Sequence, residues 1–112
     1  MALLNLSVVL EDYVAAPGNN LSVAVAISVT SAAGVPVAGL ALADFTVGSH
    51  FFPTGGVASA LITSAPGPLV GTYSLRLQPT GGGVWVGGVY IFDIRVINGA
   101  DQGTIVTSVL LD

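Results

Sequence analysis

Gly87-Gly88-Val89-Tyr90-Ile91-Phe92-Asp93-Ile94-Arg95-Val96-Ile97 is the stretch from which the fold is read. Tyr90, Phe92, Ile94 and Val96 alternate with Ile91, Asp93, Arg95 and Ile97. Successive side chains of an extended chain point to opposite faces, so this spacing makes one apolar face and one mixed face. Two glycines open the stretch and Asn98-Gly99 closes it. The apolar face is large enough to form the middle of a core, with Phe92 and Ile94 as core residues.

The same period of two recurs on either side. Leu4, Leu6, Val8 and Leu10 alternate with smaller or polar residues, as do Leu21, Val23, Val25, Ile27 and Val29, and then Tyr73, Leu75 and Leu77. Thr104 to Leu111 reads as a closing strand whose inward register is ambiguous. Val57 to Thr63 reads as a short strand. Ser49 to Gly56 reads as a loop with His50-Phe51-Phe52-Pro53 at its centre, and Ala65-Pro66-Gly67-Pro68 as a break. Val37 to Val47 is either extended or a helical turn at Ala41-Leu42-Ala43. Seven strands without an amphipathic helix predict an all-β Greek-key sandwich, one domain spanning residues 1–112. A chain of this length buries about two-thirds of its unfolded surface, enough for a core without staples.

Gly34-Val35-Pro36-Val37-Ala38-Gly39-Leu40, Asp44-Phe45-Thr46-Val47 and Gly71-Thr72-Tyr73-Ser74-Leu75-Arg76-Leu77 resemble segments of bacterial immunoglobulin-like domains of the invasin type. The resemblance covers roughly the middle half of the chain. It implies an immunoglobulin-like sandwich serving as a spacer or adhesive unit, at an extracellular surface or in a virion. It supplies no catalytic residues. Such modules usually have a more charged exterior than this chain has. From the residues themselves, Tyr73 or Tyr90 suits a tyrosine corner, with the ring in the core and the hydroxyl on nearby backbone. Ordinary core packing is the simpler reading of both.

Composition narrows the function classes. Charged residues are 7% of the chain, against about 25% for an ordinary domain. Arg76 and Arg95 are the only cations beside six acids, for a net charge of −4. Nucleic-acid binding needs clustered Lys or Arg to neutralise phosphates, and two arginines do not supply that. Anionic membrane surfaces are rejected on the same ground. Asp93 and Arg95 interrupt the longest apolar candidate for a membrane span, so no insertion is expected. Met1-Ala2-Leu3-Leu4-Asn5 has no basic segment before its apolar run and does not read as a signal peptide. With no cysteine, there is no disulfide framework and no thiolate metal site.

The catalytic inventory is thin, and neither an enzyme nor a cofactor is expected. His50 is the one histidine, with Ser49 and Asp44 near it in sequence, but neighbours on a strand end point apart, which a Ser-His-Asp site does not allow. Glu11, Asp12 and Asp101 are expected at opposite ends of a sandwich, where they cannot share the six to eight oxygens that calcium takes. Gly81-Gly82-Gly83 has no following helix and no lysine, so it reads as a flexible turn and not a phosphate loop. Asn5-Leu6-Ser7 and Asn20-Leu21-Ser22 match the glycosylation pattern, which matters only in a secreted eukaryotic protein.

The mixed face carries the functional expectation. If Tyr90, Phe92, Ile94 and Val96 face in, then Val89, Ile91, Asp93, Arg95 and Ile97 face out. The last strand adds either Val106 and Leu110 or Ile105 and Val109. Contiguous exposed apolar surface of this kind marks an interface. The leading expectation is a non-enzymatic structural or interaction module, self-associating or docking on neighbouring domains through that face. The alternative is an adhesion or ligand-binding domain using His50, Phe51 and Phe52.

Overall fold

The computed structural model describes residues 3–11, 13–56 and 59–112, apart from the side chains of 59, 60 and 62. Asp12 and the opening of the strand expected at Val57 lie outside the described residues. Seven strands follow one another: β1 (Asn5–Leu10), β2 (Val23–Thr30), β3 (Phe45–Phe51), β4 (Ser59–Pro66), β5 (Thr72–Pro79), β6 (Gly88–Asn98) and β7 (Asp101–Leu111). They form two antiparallel sheets, ordered β1-β2-β5-β4 and β3-β6-β7. This is the four-plus-three strand order of a constant-type immunoglobulin sandwich.

The register read from β6 holds. Tyr90, Phe92, Ile94 and Val96 are fully buried and face Val23, Val25, Ile27, Val29, Tyr73, Leu75 and Leu77 of the other sheet's inner surface. β7 resolves its ambiguity by turning Val109 and Leu111 inward, with Val106 and Leu110 outside. Gly103 shares the inward row because a Cβ there would sit 2.5 Å from the carbonyl oxygen of Leu4. β6 and β7 are joined by Gly99-Ala100, with φ +63° at Gly99 alone. That is the sign pattern of a type II′ hairpin, whose first central position needs glycine.

Both tyrosines do more than pack. The Tyr90 hydroxyl accepts from the Val86 N–H at 2.8 Å and donates to the Val86 carbonyl at 2.9 Å. A tyrosine near the start of the sixth strand, bonded to backbone a few residues upstream, has the geometry of a tyrosine corner. Tyr73 donates to the Val37 carbonyl at 2.6 Å and accepts from the Leu40 N–H at 3.3 Å. The link between β2 and β3 is thereby pinned to β5, and Gly71 packs directly on Pro36 in the same contact. Trp85 caps the other end of the core. Its indole N–H donates to the Leu21 carbonyl at 2.7 Å, and its ring meets Tyr90 edge-on at 5.0 Å.

Four local expectations are corrected. β3 runs through Ser49 and His50 to Phe51, where a loop was expected. β4 continues to Pro66, so the proline lies on an edge strand, where its missing N–H costs no ladder bond. β7 begins at Asp101, three residues before the expected start. Gly81-Gly82-Gly83 is a defined turn, closed by the Gly83 N–H on the Thr80 carbonyl, with positive φ at Gly81 and Gly82. The ambiguous Val37 to Val47 segment holds a single 3-10 turn, Leu42–Asp44, before β3.

Phe92→Ala is expected to lower unfolding stability by about 3–5 kcal/mol, as a truncated buried aromatic does. Tyr90→Phe leaves both polar groups of Val86 without their partner and is expected to cost about 1–2 kcal/mol. Urea midpoints at constant slope read both; an unchanged midpoint for Phe92→Ala would reverse the register.

Candidate functional site

The outer face of the β3-β6-β7 sheet is where the sequence candidates gather. Cross-strand partners in an antiparallel ladder share a face. The register sets Val89 opposite Leu110, Ile91 opposite Ser108, Asp93 opposite Val106, Arg95 opposite Thr104 and Ile97 opposite Gln102. On the other side of β6, Gly48 stands opposite Asp93 and Thr46 opposite Arg95. Val89, Leu110 and Val106 are each between two-fifths and three-fifths exposed, while Ile91 is half-buried between its neighbours. Ile97 lies on the same face but beyond Arg95, about 20 Å along the strand from Ile91.

A bulge brings the second group of candidates onto this face. The β3-β6 register steps from Ser49↔Phe92 to Phe51↔Ile91, so His50 is the extra residue on β3. Simple alternation would have turned Phe51 into the sandwich with Phe45, Val47 and Ser49. One inserted residue reverses the alternation beyond it. Phe51 therefore stands outside opposite Ile91, 53% exposed, and Phe52 follows at 45%. His50 and Phe51 of the aromatic segment, read from the sequence as an alternative to the sheet face, thus share that face. The bulge has no signature in the sequence beyond a broken period.

His50 and Asp93 make the polar centre of that surface. His50 Nε2 lies 3.6 Å from Asp93 Oδ2, and the Asp93 carboxylate occupies the space a side chain at Gly48 would fill. Glycine at 48 is what lets the acid lie flat across β3. Within the chain the partner of Asp93 is His50. Among the described residues no carboxylate lies within ion-pair distance of Arg95.

Among the described residues the catalytic and metal candidates lie apart. The Ser49 hydroxyl is buried without a hydrogen-bond partner among the described residues, while His50 is on the opposite side of the strand. Asp44 accepts the Ala41 N–H at 2.8 Å and caps the 3-10 turn. Glu11 accepts a hydrogen bond from Ser74 at 2.9 Å. Asp101 sits at the other end of the sandwich, beside the point where the Leu4 N–H meets the Gln102 carbonyl. Among the described residues no three His, Cys, Asp or Glu side chains gather, and no helix is long and apolar enough to cross a membrane.

No family model, curated protein or solved structure matches the chain.

Gly48→Ala tests the central pair. The added methyl meets the far end of a flexible side chain, so Asp93 is expected to swing aside and leave His50. Stability should change by less than about 1 kcal/mol, the usual worth of an exposed ion pair. The His50 ring protons should shift in NMR spectra as they do in Asp93→Asn. A spectrum that responds to one substitution and not the other would separate the two residues.

Proposed function

We propose that this chain is a non-enzymatic structural module that packs on a second copy of itself through the outer face of the β3-β6-β7 sheet. The observation that carries the reading is the run of Phe51, Val89, Val106 and Leu110 around the half-buried Ile91. These side chains expose roughly 400 Å², worth on the order of 10 kcal/mol when buried, before the costs of association. Patches of that size on a monomer are commonly interaction sites.

Self-complementary charge favours a second copy as the occupant. Among the described residues the face carries one acid, Asp93, and one base with no carboxylate in ion-pair distance, Arg95, two residues apart on the same strand. A two-fold axis between them brings each arginine of a pair toward the other copy's aspartate. Such an arrangement fixes register and contributes little net energy, so the apolar groups dominate. The net charge of −4 is too small to hold copies apart.

The resemblance to bacterial immunoglobulin-like domains supports a place in a repetitive surface or virion assembly. The adhesion reading, with His50, Phe51 and Phe52 as its site, uses the same surface and differs in the occupant. Ile91→Lys separates the two. It should keep the far-ultraviolet spectrum of the wild type and shift the sedimenting species to smaller mass. A wild type that stays monomeric at high concentration would overturn the self-packing reading and leave the aromatic segment as a site for another ligand.

A further inference from the structure

Charged side chains are scarce in this chain, yet two of opposite sign share one hollow on the outer face of the β1-β2-β5-β4 sheet. Arg76 is opposite Ala24 in the β2-β5 ladder, and from the other side the Glu11 N–H donates to the Ala24 carbonyl at 3.0 Å. Glu11, Ala24 and Arg76 therefore make one row across three strands, and cross-strand partners share a face. Two strand spacings set the outer members about 10 Å apart at Cα. The buried methyl of Ala24 is the floor between them. The hollow measures about 440 Å³, and Tyr13, Val14, Ser22 and Ser74 complete its lining.

Both charged side chains are long enough to meet across the row. They do not: among the described residues neither comes within ion-pair distance of the other. Each is drawn to its own serine. Glu11 accepts a hydrogen bond from Ser74 Oγ at 2.9 Å, and Arg76 Nη1 lies 3.5 Å from Ser22 Oγ. Ser74 is opposite Ala26, the next outward residue after Ala24, whereas Ser22 precedes Ala24. The two charges thus lean in opposite directions along the strands, and the floor stays open between them. A carboxylate accepts on both oxygens and a guanidinium donates in a fork, so each retains capacity for a ligand. Tyr13 closes one side. Its hydroxyl is engaged by the Leu110 carbonyl at 2.8 Å, so its ring and Val14 give the hollow an apolar wall.

We propose that this hollow binds a free α-amino acid with an apolar side chain. Such a ligand carries an ammonium and a carboxylate on one carbon. The ammonium donates to Glu11, and the carboxylate takes the fork of Arg76, which suits a planar bidentate acceptor. The apolar side chain lies against Tyr13 and Val14. Two charge-assisted bonds of about 2.8 Å and the ligand's own width bridge roughly 8 Å, a span that fits side chains rooted two strands apart and turned away from each other. A cation or an anion alone satisfies one wall only. A neutral sugar reaches both walls with hydroxyls but gains no attraction between full charges. The hollow is open to water, where ion pairs are worth little, so a Kd of about 1 mM is expected. The site is on the sheet opposite the proposed self-packing face and does not rest on that reading.

Leucine is the probe. In NMR titrations of the unmodified chain it should shift the amides of Ala24, Ser74 and Arg76 and saturate. Leucinamide lacks the carboxylate and 4-methylpentanoate lacks the ammonium, so each should bind about tenfold more weakly. Glu11→Gln should weaken leucine about tenfold and leave 4-methylpentanoate unchanged. Arg76→Gln should weaken leucine and leave leucinamide unchanged. A general loss of structure would not produce this crossed pattern, and the comparison of the three probes on the unmodified chain needs no variant at all. Absence of any shift with leucine up to its solubility limit overturns the inference, as does leucinamide or 4-methylpentanoate binding as well as leucine. Glucose shifting the same amides at lower concentration than leucine would also overturn it, and would make the hollow a saccharide site.

Discussion

The pleat of β6 is the constraint on which the rest depends. A strand cannot bury one side chain without committing the next to the opposite face. Tyr90, Phe92, Ile94 and Val96 fill the centre of the sandwich at essentially zero exposure. Val89, Ile91, Asp93, Arg95 and Ile97 are outside for that reason alone. Core and candidate interface are thus two consequences of one register, and a slip of one residue would exchange them. Both neighbours of β6 inherit the choice, which is why Leu110 and Val106 stand on the same surface as Val89 and Ile91.

The tyrosines show how a sandwich without disulfides closes its ends. Each ring adds apolar area to the core while its hydroxyl satisfies backbone groups that a loop would otherwise leave without partners. Tyr73 holds the β2-β3 link, and Tyr90 holds the approach to its own strand. Trp85 joins that approach to the β1-β2 loop through both its indole and its backbone, since Trp85 N–H also reaches the Asn19 carbonyl at 2.8 Å. Most of the segments that resemble immunoglobulin-like modules fall at the Tyr73 tie: Gly34 to Leu40 supplies the bonded backbone and Gly71 the close approach to Pro36.

The strands that bury a regular aliphatic row were legible: β2, β5 and β6 each alternate cleanly, and their inward residues are the buried ones. β3 was not, because its period changes at His50 and because Gly48 has no side chain to show a face. The end of β4 was hidden by Pro66, which reads as a break unless the strand is known to be an edge, and edge position is a property of the sheet. β7 was ambiguous because valine, isoleucine and leucine occur on both of its faces; Leu4 over Gly103 settles the choice, and that contact joins residues far apart in sequence. The same limit hid the merger of the two candidate sites. Phe51 and Ile91 meet only through a cross-strand pairing, and the bulge that aligns them leaves no composition of its own.

The two outer faces solve the problem of low charge differently. β2 and β5 turn Ala24, Ala26, Ser28, Thr72, Ser74, Arg76 and Gln78 outward, mostly small or hydroxyl-bearing groups. Short hydroxyls hydrate a sheet face without the charged side chains that most domains use, and small side chains leave little apolar area to cover. The β3-β6-β7 sheet instead turns Phe51, Val89, Val106 and Leu110 outward around the half-buried Ile91. An even scatter of exposed aliphatics would need no explanation. Exposed aliphatics also stand elsewhere, at Val9, Val14, Leu69 and Val70; what sets the outer face of β6 apart is contiguity, since Phe51, Val89, Val106 and Leu110 are all cross-strand or same-face neighbours of Ile91.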